Sequence, residues 1–413
     1  MRFAPPVVAS PSFLHFPMRS ILPAGALLLI FHSIASGQQP LTRQQAIESA
    51  LTRAPRAAVA RADTLVGAAQ LLSARQWENP SLSLTYSKSP PNYHETIDLP
   101  LDVFGVRGAR ISSAQAARLA SHYRFRFERA AAALDADTAY TRALAAREHV
   151  RLARINAIAA DSLRRMSIVR RNAGDASELD VLLATVNAAQ AANQSAADSL
   201  TFASTLLDLQ AAMGIDTGVI AVTPVDSLTL PPGPADSALS ARSLPVAAAE
   251  QSLTAAELSA RAEKRAVFSP FSIMGGVEHG DDSQPGLLPT FGVSIPIPLL
   301  NRNRGAIALA EAERDRARAV LQLARIETRN AVARAVRSRD LALDKVRRDR
   351  VLIESAARLV SMSLTAYREG AQGLPAVLEA QRNARDILSQ YIDDVAEASI
   401  ATAILRLYDL TSS

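Results

Sequence analysis

Two long stretches of this chain contain neither proline nor glycine, and they limit the fold more than any other feature. The first follows Gly105 and Gly108 and continues to Arg171, and the second continues from Gly305 to Glu369. At a rise of about 1.5 Å per residue, each would form a helix roughly 90–100 Å long. Helices of that length exceed those of ordinary globular domains and need to pack side by side as coiled coil. We therefore predict a mainly α-helical fold built from long, packed helices.

Proline and glycine recur in the same order in both halves of the sequence, which predicts an internal duplication. Pro80 and Pro270 each end a predicted helix, and Gly174 and Gly370 each separate a long helix from a shorter one. Each repeat is expected to contain a helix, a strand hairpin and a long helical hairpin. The predicted organisation is a signal peptide at 1–37, a first repeat at 38–213 with its strand hairpin at 81–101, a linker at 214–237, and a second repeat at 238–413 with its strand hairpin at 271–297.

The N-terminal segment has the three parts of a secretory signal peptide. Arg19 precedes an apolar run, and the small residues Ala35, Ser36 and Gly37 follow it. The run is too short to span a bilayer, which takes about 20 residues. The mature protein is therefore expected to be exported without a helical membrane anchor. The sequence leaves two candidate start codons, Met1 and Met18.

The predicted strands alternate small polar residues with apolar ones, which places the apolar side chains of each strand on one face. These apolar residues are Leu82, Leu84, Tyr86, Ile97, Leu99, Leu101, Phe291, Val293 and Ile295. Four strands are too few to close a barrel, and an open sheet of this kind would expose both edges. Three copies would supply twelve strands and a closed barrel, which is the only form of β-structure that spans a membrane. The expected fold is a long α-helical barrel plus four strands per chain that form one third of a twelve-stranded transmembrane β-barrel.

The composition excludes several classes of function. The chain has no cysteine, which rules out disulfides, thiolate metal sites and a lipid anchor on cysteine. We find no phosphate-binding loop and no nucleophile, so neither an enzyme nor a cofactor is predicted. His94 and His279 fall at equivalent turn ends, where a solvated loop is favoured over a metal site. The net charge of +5 comes from arginines interleaved with acidic residues, which does not predict a nucleic-acid partner.

The order of these features resembles the TolC-like outer-membrane efflux channel family, especially the members that serve resistance–nodulation–division pumps. The resemblance covers about Leu41 to Leu410, and its most recognisable segments are 174–182 and 370–384. It implies a homotrimer in the outer membrane, with a helical tunnel in the periplasm, a periplasmic adaptor (membrane fusion) protein and an inner-membrane pump. Within the family, the sequence of segment 370–384 is most similar to that of the cation-efflux branch. Many relatives carry a lipidated N-terminal cysteine, which this chain lacks.

The resemblance also implies roles for the ends of the two helical hairpins. Glu379, with Arg382 three residues later, is expected to line a pore gate, and Asp180 holds a related position in the first half. A solvent-exposed Glu–Arg pair is the alternative interpretation. Residues at the tips are expected to contact the adaptor, although glycine there would also serve as an ordinary helix cap. These tip residues are Gly174, Asp175, Ser177, Gly370, Gln372, Gly373 and Leu374.

Two functions from different classes therefore remain open from the sequence. The first is an outer-membrane efflux duct that conducts substrate passively. The second is a periplasmic coiled-coil adaptor or scaffold without a membrane barrel. The apolar faces of the four strands favour the duct, because a scaffold has no need of them. The sequence identifies neither the exported substrate nor the pump.

Overall fold

The computed structural model describes residues 39–216, 222–230 and 243–408, so the predicted signal peptide lies outside the described residues. The first half begins with the short strand β1 (Gln39–Leu41). Its helices are α1 (Arg43–Arg53), α2 (Pro55–Arg75), α3 (Val106–Asn172) and α4 (Glu178–Ala212), and its hairpin strands are β2 (Ser81–Tyr86) and β3 (Tyr93–Leu101). One short strand, β4 (Val222–Pro224), lies within the predicted linker.

The second half repeats this order. Its helices are α5 (Leu244–Arg265), α6 (Arg304–Arg368) and α7 (Leu374–Tyr408), and its hairpin strands are β5 (Phe271–His279) and β6 (Leu288–Ser294). A 3-10 turn at Ala266–Phe268 joins α5 to β5. The two long helices α3 and α6 contain 67 and 65 residues, in agreement with the uninterrupted stretches of the sequence. Among the described helices, none is both long enough and apolar enough to cross a membrane.

The four hairpin strands form one antiparallel sheet in the order β2-β3-β5-β6. Leu82 lies opposite Ile97, Leu99 opposite Ile273, and Ile273 opposite Val293, so these apolar residues share one face. That face is open to solvent in the single chain: Leu84 is 69% exposed and Phe291 is 83% exposed. The described strands pair with no neighbour beyond β2 on one side or β6 on the other. The sheet therefore has two free edges and an uncovered apolar face.

The helical core is built mainly from alanine. Ala50, Ala54, Ala132 and Ala136 form one buried cluster between α1 and α3, where small side chains let the helices approach closely. A second cluster surrounds Tyr140, whose hydroxyl donates to a carboxylate oxygen of Asp226 at 2.8 Å. Burial raises the pKa of Tyr140 to about 12. The described part of the predicted linker is thus tied to β1 by the parallel β1–β4 pair and to α3 by this hydrogen bond.

Two boundaries differ from the sequence prediction, each for a local reason. The first helix is broken between Arg53 and Pro55, because proline has no amide hydrogen for a helix interior and begins α2 instead. Strand β6 covers 288–294 and not 291–297, since the prolines that follow Ser294 cannot donate to a ladder. Helix α5 begins at Leu244, whereas residues 238–242 of the predicted helix lie outside the described residues.

Candidate functional site

The two helical hairpins reverse through equivalent glycine turns. Gly174 and Gly370 have φ angles of +88° and +77°, which glycine adopts without the steric cost that a side chain would add. At the first tip, the amide of Asp175 donates to Arg170 O at 2.8 Å, and at the second, the amide of Ala371 donates to Ala366 O at 2.8 Å. These bonds satisfy carbonyls at the helix ends in the manner of a Schellman motif. The predicted helix-cap role of both glycines is therefore present.

The turn after Gly174 is fixed by a capping box at the start of α4. The Asp180 amide donates to Ser177 Oγ at 3.1 Å, and Asp180 Oδ2 accepts from the Ser177 amide at 3.1 Å. The two side chains thereby satisfy two backbone amides that the helix leaves without partners. Asp180 therefore has a local structural role at the tip whether or not it also lines a pore.

A small apolar core holds the two tips together. It contains one or two buried residues from each of the four hairpin helices: Leu163, Ala184, Tyr367, Leu374 and Val377. Leu374 is 0% exposed, so its side chain supports the tip from the inside and is not available on the surface of this chain. The other six predicted contact residues, Gly174, Asp175, Ser177, Gly370, Gln372 and Gly373, are exposed.

One arginine connects the first tip to the second. The Arg170 guanidinium lies over the Tyr367 ring, 4.6 Å from its centroid, and donates a hydrogen bond to the Tyr367 carbonyl. Its other terminal nitrogen donates to the Asp175 carbonyl at 3.2 Å. Burial raises the pKa of Tyr367, and within the described residues the Tyr367 hydroxyl has no hydrogen-bond partner. The sequence analysis did not identify Arg170 or Tyr367, because their contact joins positions 197 residues apart.

Glu379 lies on the first turns of α7, on the solvent side of the helix. Its carboxylate is 3.5 Å from the Arg382 guanidinium, and the two side chains are 60% and 62% exposed. An exposed pair of this kind contributes about 0–1 kcal/mol to stability. The pair predicted from the sequence is therefore present, and its contribution to folding is small.

An apolar stripe follows the first tip along α4. Leu179, Leu182 and Val186 recur at helical spacing and are each more than half exposed. Side chains at i, i+3 and i+7 lie on one face of a helix, so the three form a continuous surface. The sequence analysis missed this stripe, although its periodicity was a readable signal. Together with the exposed residues of the first tip, this stripe forms one larger exposed surface.

Farther along the hairpins, charged groups are buried between helices. Asp394 is 1% exposed, and its Oδ1 accepts hydrogen bonds from Lys345 at 3.2 Å and Gln390 at 3.0 Å. Burial and the neighbouring Asp394 carboxylate raise the pKa of Asp349. Nearby in sequence, Asp393 is 2.8 Å from His149 Nε2, and this hydrogen bond raises the pKa of His149. These polar contacts tie α7 to α6 and α3.

At the hairpin-turn end of the sheet, His94 Nδ1 is 3.1 Å from Glu278, and His279 stacks on Tyr93. Across the part of the chain that the structure describes, no group of three or more His, Cys, Asp or Glu residues is arranged to hold a metal ion. These histidines instead make cross-strand contacts between β3 and β5.

Comparisons with known proteins agree with this architecture. A sequence model of the family described as "Outer membrane efflux protein" matches residues 46–215 and 237–412, one segment for each repeat. No curated protein sequence matches the chain.

Solved structures share the fold. One is a membrane protein from Pseudomonas aeruginosa, with 21% sequence identity, a TM-score of 0.76, and coverage of 89% of this chain and 93% of that chain. Another is the Campylobacter jejuni outer membrane channel CmeC, with 16% identity, a TM-score of 0.75, and coverage of 89% of this chain and 85% of that chain. The Vibrio cholerae outer membrane protein VceC is also similar, with 15% identity, a TM-score of 0.74, and coverage of 90% of this chain and 97% of that chain. The predicted fold class, mainly helical with a small strand part and a duplication, is confirmed.

Proposed function

The chain belongs to the outer membrane efflux protein family, and on this premise we propose that it is the outer-membrane duct of a tripartite export pump. Three copies form the duct, and substrate passes through it passively from the periplasm to the exterior. The sheet lies in the outer membrane, and the helical part lies in the periplasm. The protein performs no chemical reaction on its cargo.

The uncovered sheet is the observation that carries this proposal. Strands β2 and β6 are free edges, and the apolar face between them is exposed in the single chain. Edges of this kind invite pairing with another chain, and a membrane requires that all of them be closed. Pairing of β2 with β6 of the next copy closes a ring of twelve strands and turns the apolar face toward lipid.

The alternative, a periplasmic coiled-coil adaptor or scaffold, accounts for the helices but not for the sheet. In such a protein, Leu84, Phe291 and the other apolar strand residues would face water. In the duct, these residues face the hydrocarbon of the membrane, where apolar side chains are favourable. The duct also gives the alanine-rich helices a reason to pack closely around a wall.

The hairpin tips supply the remaining parts of the proposal. We propose that the exposed tip residues and the stripe of Leu179, Leu182 and Val186 dock onto a periplasmic adaptor protein, which joins the duct to an inner-membrane pump of the resistance–nodulation–division type. Three copies of Glu379, with Arg382 and Asp180 nearby, form the gate at this end. A ring of carboxylates attracts cations and repels close approach of the helices.

Disulfide trapping tests the proposed ring directly, since the chain has no cysteine of its own. Ser83→Cys or Thr85→Cys on β2 is combined with Thr290→Cys or Ser294→Cys on β6, which samples several registers. Within one chain these strands are three spacings apart, about 14 Å, which exceeds the reach of a disulfide. Bonds therefore form only between copies, and oxidation in membranes should give covalent species that stop at three chains.

Each single-cysteine variant serves as a matched control and should yield no species larger than a dimer. Ladders that continue beyond three chains would contradict the proposed stoichiometry. Recovery of the cysteine-free protein as a soluble monomer without detergent would contradict the membrane duct itself.

A further inference from the structure

Three arginines surround the corner where β3 leads into α3. Arg107 lies across the indole of Trp77, 4.3 Å from the ring centroid, and donates to the Arg75 carbonyl. Arg265, from α5, donates to the Gly105 carbonyl at 3.3 Å. Arg110 lines the same pocket as Trp77 and Arg107, with a volume of about 180 Å³. We call Arg107, Arg110, Arg265 and Trp77 the arginine corner.

Carboxylates do not neutralise this corner. Among the described residues, no ion pair within 4 Å involves any of these three guanidinium groups. Asp102 also lines the pocket, but its two oxygens accept the amides of Val106 and Arg107 at 2.7 and 3.0 Å. Glu78 is the other acidic residue of the pocket lining. Three guanidinium groups, those of Arg107, Arg110 and Arg265, therefore meet two carboxylates at this corner, and Asp102 already accepts two backbone amides.

Exposed apolar side chains separate the arginines from the apolar face of the sheet. Trp77 is 63% exposed and Val103 is 59% exposed. Leu101, two residues after Leu99 and thus on the same face of β3, lines the pocket beside Trp77. From the apolar face of β3 toward the start of α3, the surface therefore changes from aliphatic side chains to the indole of Trp77 and then to guanidinium groups.

That order matches the parts of a phospholipid, from acyl chain through interface to phosphate. Tryptophan is enriched at the interface of membranes, and guanidinium binds phosphate oxygens through paired hydrogen bonds. Arginine close to an anionic leaflet also gains from its negative surface potential.

We propose that the arginine corner binds the phosphate headgroup of an anionic phospholipid in the leaflet nearest the helical barrel. The inference rests on the proposed function, because it requires that the sheet lie in a bilayer. Bound lipid would then fix the depth at which the sheet meets the helices.

Trp77 makes the proposal measurable, since it is the single tryptophan of the chain. The purified full-length protein is reconstituted into vesicles that contain phosphatidylglycerol or phosphatidylcholine with brominated acyl chains, which quench tryptophan fluorescence on contact. We expect phosphatidylglycerol to be preferred at Trp77 by at least about fivefold, the gain that one arginine near an anionic lipid provides. Equal quenching by the two lipids would overturn the proposal.

Matched variants test the role of the arginines. Arg110→Gln removes one guanidinium that does not stack on Trp77, and the preference should fall by about fivefold. Arg350→Gln removes an exposed arginine of α6 and should leave the preference unchanged. An unchanged preference in Arg110→Gln, or an equal loss in Arg350→Gln, would refute a specific site.

Two further measurements separate the remaining outcomes. Inorganic phosphate is added to the protein in detergent: a change in Trp77 emission equal to that caused by phosphatidylglycerol would assign the corner to free phosphate and overturn the lipid assignment. Trimer formation and vesicle insertion are measured on the same samples. If the protein inserts as a trimer but shows no lipid preference, this inference fails alone. If it does not insert, the proposed function fails.

Discussion

The guanidinium of Arg170 covers the buried ring of Tyr367, and this contact joins the end of α3 in the first repeat to the end of α6 in the second. The same arginine also holds the turn at Asp175. The contact lies beside the small apolar core to which all four hairpin helices contribute, at the end of the hairpins where the gate is proposed. The contact is therefore suited to hold the tips in a closed arrangement.

We expect Arg170→Ala to open the tips. The substitution removes hydrogen bonds from a charged donor, each worth about 1.5–3 kcal/mol, and shifts a closed–open equilibrium by about tenfold or more. Purified protein in planar bilayers should show larger or more frequent openings than the unmodified channel. Unchanged conductance would mean that Arg170 does not restrain the closed state.

Tyr367→Phe is the matched control for that experiment. It keeps the aromatic ring and the backbone carbonyl that Arg170 contacts and removes only a hydroxyl that has no hydrogen-bond partner within the described residues. Conductance should therefore remain that of the unmodified channel. An effect as large as that of Arg170→Ala would assign the restraint to the hydroxyl.

Glu379→Ala should abolish block by divalent cations applied from the periplasmic side, and Glu379→Lys should turn the cation site into a barrier. Neither change should alter stability by more than about 1 kcal/mol, because the pair with Arg382 is exposed. Single-channel recordings with and without millimolar divalent cations measure the block. Arg382→Ala keeps the carboxylate and should retain the block; loss of block in that variant too would show that the Glu379 carboxylate does not form the cation site by itself.

Arginine should be tolerated differently on the two faces of the sheet. Leu84→Arg and Val293→Arg place a charge on the face proposed to meet lipid, at a cost of about 2–4 kcal/mol near the bilayer midplane. Ser83→Arg and Ser294→Arg lie one residue away on the opposite face and should assemble nearly normally. Yield of outer-membrane trimer is the measurement, and equal yields for both pairs would show that the apolar face does not contact lipid.

The His149–Asp393 contact should make stability depend on pH. The hydrogen bond raises the folded pKa of His149 above its usual value of 6.5, so its stabilising contribution is complete below that pH. The contribution is lost as the pH rises through the folded pKa. The thermal midpoint of His149→Gln should therefore be less sensitive to pH in this window than that of the unmodified protein.

His122→Gln provides the comparison, since His122 is exposed on the same helix and forms no ion pair with the described residues. Its thermal midpoint should follow that of the unmodified protein at every pH. A flattened profile in His122→Gln as well would show that the dependence does not arise at His149.

Local pattern in the sequence determined the helices, the two hairpins and their repeat. The positions of Gly174 and Gly370 marked both reversals, and alternation marked the strand faces that Leu84 and Phe291 share, because these features depend on neighbours a few residues away. Ser177 and Asp180 form a capping box for the same reason. The exposed pair of Glu379 and Arg382 also follows from helical spacing alone.

Tertiary structure decided which distant segments meet. The contact of Arg170 with Tyr367, the burial of Leu374 and the approach of Asp349 to Asp394 each depend on how separate helices pack. In alanine-rich helices many packings satisfy the same apolar periodicity, so spacing along the chain does not select one of them. The selection comes from the summed fit of side chains across the interfaces, which exists only once the helices are assembled.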